Sequence, residues 1–570
     1  VRIVLDIETN LAHDKIHVVV TKDIDTGEVK VWKQASSLRE YLKDASLIVG
    51  HNVISFDAPT LNRLWMTNIQ LSQMYDTLIV SRLLDPSREN GHSLEAWGER
   101  VGTGKIDYPA VWCWMMDREE RYKNECFDNP IDSLLVDYCI RDVEVTAKLY
   151  SKMVSEVAEK QFSQESIDLE QRVAEIISQQ ERNGFKLDQI YATCLLTDIQ
   201  SKVAGIYERM QQRWPPVTVE RFSDKTGKRL KDSVVTFNPG SRQQIGEKLK
   251  ELGWKPKEFT PTGHPIVDEG VLANVKIPEA QIIAEYLMLN KRVSQITSWM
   301  EAVERDGRVH GSVITNGAVT GRMTHSSPNM AQIPNAGSIY GPECRECWTV
   351  EEGNVLVGCD ASGLELRMLA HYMKDEDYVR TVCEGSSKLG TDVHTVNQRA
   401  AGLATRDNAK TFIYAFLYGA GDEKIGSIVG GSSKAGKALK AKFLEQTPAL
   451  AKLITKVKNL SGKGWLPGLD GRRVWVRSEH SALNTLLQSA GAIVMKKALV
   501  LFDDKAKANG WKIMYVANVH DEVQIECKEQ IAEEVGKAFK QSIIDSGVAL
   551  NLRCPLDGEY KIGRNWRETH

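Results

Sequence analysis

The sequence predicts a multidomain chain of mixed α/β and α+β architecture, and three observations carry that reading. The chain has 570 residues, which at roughly 150 residues per domain makes three or four domains or subdomains. Residues 1–155 alternate strand and helix signals, whereas long helical tracts dominate the remainder. Late in the chain, strands return in two distant places, each ending in acidic residues: Asn354 to Asp360, and the hairpin around His520-Asp521-Glu522. With 42% apolar and 26% charged residues, the composition is that of an ordinary globular protein and excludes a disordered, collagen-like or disulfide-scaffold chain. There is no uninterrupted run of about 18 apolar residues, so no membrane span is predicted.

Taken in order, VRIVLDIET reads as a strand rather than a signal peptide. HVVV and VKVW are further strands, LREYLKD is helical, and SLIVGHN is a strand again. APTLNRLWM, DTLIVSRLL and SLLVDYCIRDVEVTAKLYSKMV have helical spacing around a central sheet. The Trp- and Pro-containing stretch from Lys105 to Pro130 is expected to be an irregular surface loop. A helical tract from Glu165 to Trp214 breaks at Arg182-Asn183-Gly184, a C-cap and turn. Residues 215–240, rich in Pro, Lys and Gly, are expected to be a connecting loop. Helical patterns resume at Ser241 and over Glu279 to Val303. From Val309 the chain turns polar and Gly-containing, as suits backbone lying close to a ligand.

The formal charge is −3, from 73 basic and 76 acidic side chains. That excludes a small basic nucleic-acid binder but not a large nucleic-acid enzyme. The basic residues cluster: 221–257 holds ten Lys/Arg against four Asp/Glu, and 434–463 holds eight Lys against one Glu. The ten cysteines are scattered, and the one Cys-x-x-Cys, Cys344 to Cys347, has no second pair nearby to complete a zinc site. They read as reduced thiols.

Asp6 and Glu8 are two apart on a strand and so project from one face. Asp57 follows the strand SLIVGHN, and Tyr138 and Asp142 share a helical face at i and i+4. Brought together, these oxygens suit Mg²⁺ or Mn²⁺, and a two-ion site cleaves phosphodiesters. Asp76, at a helix start, reads as an N-cap rather than a ligand. In the second half, Asp360 and Asp521 sit at strand ends from distant segments, as a two-metal phosphoryl-transfer site requires. Arg406, Lys410, Tyr414 and Tyr418 recur every four residues, so one helix face carries two cations and then two aromatic rings. Cations grip polyphosphate and rings stack on a base and sugar. No Walker A motif is present.

Asp-x-Glu, HN-x-x-S-FD and DY-x-x-x-D resemble the three motifs of DEDDy 3′–5′ proofreading exonucleases. Arg406-x-x-x-Lys410-x-x-x-Tyr414, with Asp360 upstream and His520-Asp521-Glu522 downstream, resembles motifs A, B and C of family A DNA polymerases. TGRMTHSSPNMAQIPN, GLDGRRVWVRS and ALNTLLQSAGA extend the likeness to the bacteriophage T-seven type across nearly the whole chain. The resemblance implies an RNase H-like exonuclease domain (1–155) followed by a right-hand polymerase (156–570). Its thumb would lie near 190–308, its palm at 309–391 and 480–570, and its fingers at 392–479.

It further implies that Asp360 and Asp521, with the carbonyl of Ala361, hold two Mg²⁺ ions, and that Glu522 supports them. A second pair of ions would be held by Asp6, Glu8, Asp57 and Asp142, with Tyr138 orienting water. Arg406, Lys410 and His394 would meet the triphosphate, and Lys410 could protonate pyrophosphate. Tyr414 would lie against the incoming nucleotide, with Tyr418 beyond it. Glu365 would exclude ribonucleotides, and Arg322, Gln488 and His520 would face the minor groove of primer-template DNA. The partners implied are DNA, dNTPs, a phage helicase-primase and a single-strand binding protein, in the cytoplasm of an infected bacterium. The T-seven type carries a long thumb insertion that binds host thioredoxin. Here only about twenty residues from Trp214 to Phe237 occupy that place, too few for an independent subdomain and with little apolar surface, so thioredoxin is expected not to be required. The alternative is a degradative DNA exonuclease whose second half only binds DNA. The combination of Asp360, Arg406, Lys410 and Asp521 argues against it.

Overall fold

The computed structural model describes residues 1–222 and 226–570. In the first domain, β1 (Arg2–Thr9), β2 (Ile16–Asp23), β3 (Val29–Trp32), β4 (Leu47–Gly50) and β5 (Met74–Asp76) form one sheet in the order β3-β2-β1-β4-β5. The first three strands are antiparallel, and β4 and β5 join in parallel. Central strand β1 alternates between two cores. Ile3, Leu5 and Ile7 face one, while Val4 faces the other, which is built with Leu135, Cys139 and Val143 of the helix Asp132–Glu159. Asp6 and Glu8 have the parity of Val4, so the pleat aims them at that helix.

The segment expected to be an irregular loop is not one. It forms the helix Tyr108–Met115 and the 3₁₀ turns of Glu120–Phe127. Asp107 caps the helix by accepting from the Ala110 N–H at 3.1 Å. Tyr108 and Trp112, four apart, are both buried against the sheet. Aromatic residues at helical spacing, not polarity, decide the conformation here.

The helix Gln164–Asn183 joins the domains and ends at Gly184, whose φ of +63° only glycine adopts without strain. The region expected to be the thumb pairs the long helices Gln189–Arg213 and Pro278–Glu301. The stretch expected to be a connecting loop is a β-hairpin, Val217–Phe222 with Arg229–Val235. Alternating β-branched residues on both sides of a Gly-containing turn are strand-forming. The hairpin also corrects the expectation of little apolar surface. Val217 is 60% exposed, Phe222 55% and Val234 64%. Lys225, counted in the basic segment, lies outside the described residues.

The region expected to be the palm holds one sheet, the palm sheet, of β6 (Asn354–Ala361), β7 (Ile513–Val519), β8 (Glu522–Lys528) and β9 (Gly558–Gly563), ordered β7-β8-β6-β9 and antiparallel throughout. The helices Ala482–Ala508 and Glu529–Ala549 back it, with Phe502 and Phe539 in ring contact at 4.9 Å. Ala482–Ala508 is apolar on most of its circumference because it is the spine of the largest core. The region expected to be the fingers includes the helices Val393–Ala401, Arg406–Leu417, Asp422–Ile428, Ser433–Gln446 and Pro448–Ser461.

Candidate active sites

The first site lies where β1 meets the helix Asp132–Glu159. A carboxylate oxygen each from Asp6 and Glu8 and the Cys139 sulfur lie within 4.8 Å of one another, and Cys139 Sγ donates to Asp6 Oδ2 at 3.4 Å. Asp57, buried at the start of the helix Asp57–Trp65, accepts the Ile7 N–H at 3.2 Å, which docks it on β1 between Asp6 and Glu8. Asp142 Oδ2 pairs with Lys105 Nζ at 2.6 Å, and the same ammonium donates to the Tyr138 hydroxyl at 3.1 Å. The Tyr138 ring stacks on Tyr108 at 5.5 Å. All five residues predicted for this site therefore converge.

Burial, and then the charge of Asp142, pushes the Asp6 carboxyl up to about 7. Burial and Asp6 hold Glu8 and Asp57 well above the usual carboxylate range, and burial raises Asp142 despite Lys105. Asp142 Oδ1 is buried with no hydrogen-bond partner among the described residues. A crowded set of buried and half-buried carboxylates with an orphaned oxygen fits divalent cations, which supply the missing positive charge. The Cys139 thiol is raised well above its ordinary range, by burial first and then by Asp6, so it donates as a thiol instead of ligating as a thiolate. Asp76 is the predicted N-cap, accepting from Leu78 N–H at 2.9 Å and Ile79 N–H at 3.4 Å. It also accepts from Asn52 at 3.0 Å and Ile54 at 3.1 Å, which fixes the loop leading to Asp57.

The second site is at one end of the palm sheet. Residues Val519 and Glu522 pair across the β7–β8 hairpin, leaving only His520 and Asp521 in its turn. His520 takes φ +59°, the left-handed conformation such turns demand. Across the sheet Asp360 pairs with Glu522, and the Ala361 N–H donates to the Asp521 carbonyl at 3.3 Å. Burial, then Asp521 and Glu522, raise the Asp360 carboxyl to about 7, again the signature of a place for positive charge.

Glu522 is different. It is buried, accepting from Trp566 Nε1 and from Gln524 Nε2 at 2.6 Å, with His570 at 2.9 Å and Arg345 at 3.7 Å. Against the effect of burial, His570 and Arg345 hold its carboxyl below the usual range. Its oxygens are engaged within the protein, so it supports the turn from beneath.

Above the palm, Thr405 caps the helix Arg406–Leu417 through the Asn408 N–H. Arg406 is clamped to Asp392 by Nε at 3.0 Å and a terminal nitrogen at 2.9 Å. Lys410 is exposed and has no ion pair among the described residues. His394 lies 6.1 Å from the Tyr414 ring, which lies 6.4 Å from that of Tyr418. The Tyr418 hydroxyl donates to both oxygens of Glu365 at 2.7 Å, and Arg322 approaches Glu365 at 3.5 Å. Arg322 and His520 line one cavity with Ala492 and Lys496. Gln488 stands one turn before Ala492 on the same helix. Sequence reasoning missed Lys105 and Asp392. Asp392 had a local signal, as a cap before Val393-His394, while Lys105 had none.

Comparison with known proteins agrees with this geometry. Residues 218–568 match DNA polymerase family A and residues 12–158 match a 3′–5′ exonuclease. The DNA-directed DNA polymerases of Enterobacteria phage T3 and Escherichia phage T7 are 36% and 35% identical over 711 aligned positions, covering all of this chain and all of each relative. DNA polymerase I of Aquifex aeolicus (strain VF5) is 26% identical across 99% of this chain and 95% of its own length. The solved POL domain of Pol1 from M. smegmatis, in complex with DNA primer-template and dNTP, shares the fold with a TM-score of 0.80 at 18% identity, over 100% of this chain and 96% of that one. The chain thus belongs to the family A DNA polymerases and is a DNA-directed DNA polymerase with a 3′–5′ exonuclease domain ahead of its polymerase domain.

Proposed function

We propose that the two acidic centres work as separate two-Mg²⁺ sites, with Mn²⁺ able to substitute. One extends a primer and one trims it. Bound divalent ions supply the Lewis acidity that activates an attacking oxygen and stabilises a leaving one. In the palm, Asp360, Asp521 and the Ala361 carbonyl hold the ions, and Glu522 keeps the turn in place. Arg406, Lys410 and His394 bind and orient the triphosphate, and Lys410 gives a proton to the departing pyrophosphate. Tyr414 lies against the sugar and base of the incoming dNTP, flanked by Tyr418. Glu365 closes the space a ribose 2′-hydroxyl would need. Arg322, Gln488 and His520 donate to the purine N3 and pyrimidine O2 acceptors that every base pair presents in the minor groove, testing shape without reading sequence. In the exonuclease site Asp6, Glu8, Asp57 and Asp142 hold the ions and Tyr138 orients the attacking water.

The observation that supports this most directly is that each domain gathers its own acidic set, and that Tyr414 on the helix Arg406–Leu417 lies close enough to Asp521 and Glu365 to feel their charge. The test is separability. Asp6→Ala with Glu8→Ala should abolish degradation of single-stranded DNA and leave primer extension intact. Asp521→Asn should lower extension by orders of magnitude and spare degradation. Loss of both activities in either folded variant would refute two independent sites.

The enzyme would act in the cytoplasm of an infected bacterium, alongside a phage helicase-primase and single-strand binding protein. Its thumb hairpin, with Arg221, Arg229 and Lys231 on two short strands and Lys228 just ahead of the second, supports direct contact with phosphate. It would therefore not require thioredoxin. A large gain in product length on adding reduced thioredoxin, in single-binding-event extension with trap DNA, would overturn that.

A further inference from the structure

The helix Gln164–Asn183 carries two adjacent side chains that hold different domains. Gln171 Oε1 accepts the Asp76 backbone N–H at 2.7 Å, and Asp76 fixes the loop leading to Asp57. Glu170, fully buried, turns to the polymerase. Its two oxygens accept Lys496 Nζ at 2.6 and 2.8 Å, and Oε1 also accepts Arg472 at 2.6 Å. Arg472 is closed in turn by Asp470. Two acids and two bases are thus removed from water with their charges balanced.

Lys496 makes one more hydrogen bond, to the Gly321 carbonyl at 2.7 Å. Gly321 belongs to a tight turn, donating to Ala318 O at 2.8 Å, while the Ala318 N–H donates to Arg322 O at 3.1 Å. Its φ is +78°, and a Cβ there would stand 3.2 Å from an Arg472 nitrogen. The base of the same loop is tied to the exonuclease domain, with Asn316 Nδ2 donating to Ile79 O at 3.1 Å. The next residue after Gly321 is Arg322, which enters the cleft beside His520.

We propose that Lys496, anchored by Glu170, is a positioning residue for Arg322 and so for the discrimination between paired and mispaired primer ends. This rests on Arg322 reading the minor groove. Lys496 itself lies in the buried cluster, and it acts by holding the Gly321 carbonyl and with it the direction in which Arg322 leaves the turn.

The experiment is a double-mutant cycle in the exonuclease-deficient background Asp6→Ala/Glu8→Ala. It reads the ratio of extension rates from matched and mismatched primer termini. Arg322→Ala should narrow that ratio roughly tenfold or more, the size of one lost hydrogen bond from a charged group. Lys496→Met should narrow it in the same direction, and the combined variant no further than Arg322→Ala alone. Multiplicative losses would overturn the proposal. An unchanged ratio in Arg322→Ala would overturn the minor-groove reading beneath it, which is a different result. Lys496→Met leaves Glu170 with Arg472 alone, so Glu170→Gln/Lys496→Met, which removes one charge of each sign, is measured beside it. If that variant melts like the parent and keeps the parental ratio, the proposal fails.

Discussion

Lys105 places one ammonium between Asp142 and the Tyr138 hydroxyl in the exonuclease site. Lys105→Met should therefore slow single-strand degradation by roughly 10- to 100-fold, the cost of a hydrogen bond to a charged group. Lys105→Arg should recover part of it, and primer extension should not change. Normal degradation by folded Lys105→Met would count against the role. The raised carboxyls of Asp6 and Asp360, each near 7, also have a sign. The folded protein without metal holds protons there that the unfolded chain has released above its ordinary carboxylate pKa. Stability without metal should thus fall as pH rises from about 4 to 7. Thermal melts in EDTA should show that fall, and Mg²⁺ at pH 8 should reverse it. A flat profile would contradict the shifts. On the proposed place of Tyr414 against the incoming sugar, its hydroxyl would stand in for a missing 3′-OH, so Tyr414→Phe should make incorporation of dideoxynucleotides markedly poorer relative to dNTPs. Steady-state competition between the two nucleotides measures it, and an unchanged ratio would remove the hydroxyl from sugar selection. At this scale the acidic sets were legible, because a period of two on β1 and of four on a helix fixes direction before any tertiary contact is known. Lys105 was not legible, since what makes it a site residue is the packing of the segment after it.

Among elements, the fingers helices Ser433–Gln446 and Pro448–Ser461 leave Lys434, Lys437, Lys452, Lys456 and Lys458 exposed. If those that meet phosphate are neutralised, the dependence of log affinity on log salt should flatten by about 0.9 for each phosphate no longer paired on duplex DNA. Titrating Lys434→Gln/Lys437→Gln/Lys452→Gln against primer-template DNA at several salt concentrations measures it. An unchanged slope would assign these lysines to solvent. The elements that defeated sequence reading did so for one physical reason. In residues 105–130 Trp and Pro, and in 215–240 Pro, Lys and Gly, signal a loop, while the spacing of Tyr108 with Trp112, or the alternation of Val217 and Val219 against Val234, signals structure. The pattern prevails because burial or strand pairing outweighs composition.

For the whole molecule, the two catalytic units are not beads on a linker. Trp475 Nε1 donates to Leu84 O at 3.2 Å, Asn316 Nδ2 donates to Ile79 O at 3.1 Å, and Ile167 and Ala174 of the joining helix complete cores of the first domain. The change of pattern near residue 155 is where the sequence leads one to expect a boundary, but the depth of this junction was not readable, because it is built from contacts hundreds of residues apart. A chain beginning after residue 155 should melt several degrees lower than the full chain, since a loss of a few kcal/mol moves Tm by about that much. Calorimetry of the two forms decides it, and equal melting temperatures would mean that the junction contributes little.

The clamp between Arg406 and Asp392 gives the fingers an anion of their own. Burial opposes ionisation of Asp392, yet hydrogen bonds from Thr395 and Arg406 bring its carboxyl down to about 2. At any physiological pH it is therefore a resident competitor for the guanidinium. A phosphate group that draws Arg406 away must offer it more than a single carboxylate does. Nucleoside monophosphates bring little surplus charge to that exchange, whereas triphosphates bring a good deal. On the proposed role of Arg406 at the triphosphate, the clamp would act as a threshold and leave the fingers indifferent to the spent nucleotides that proofreading itself releases.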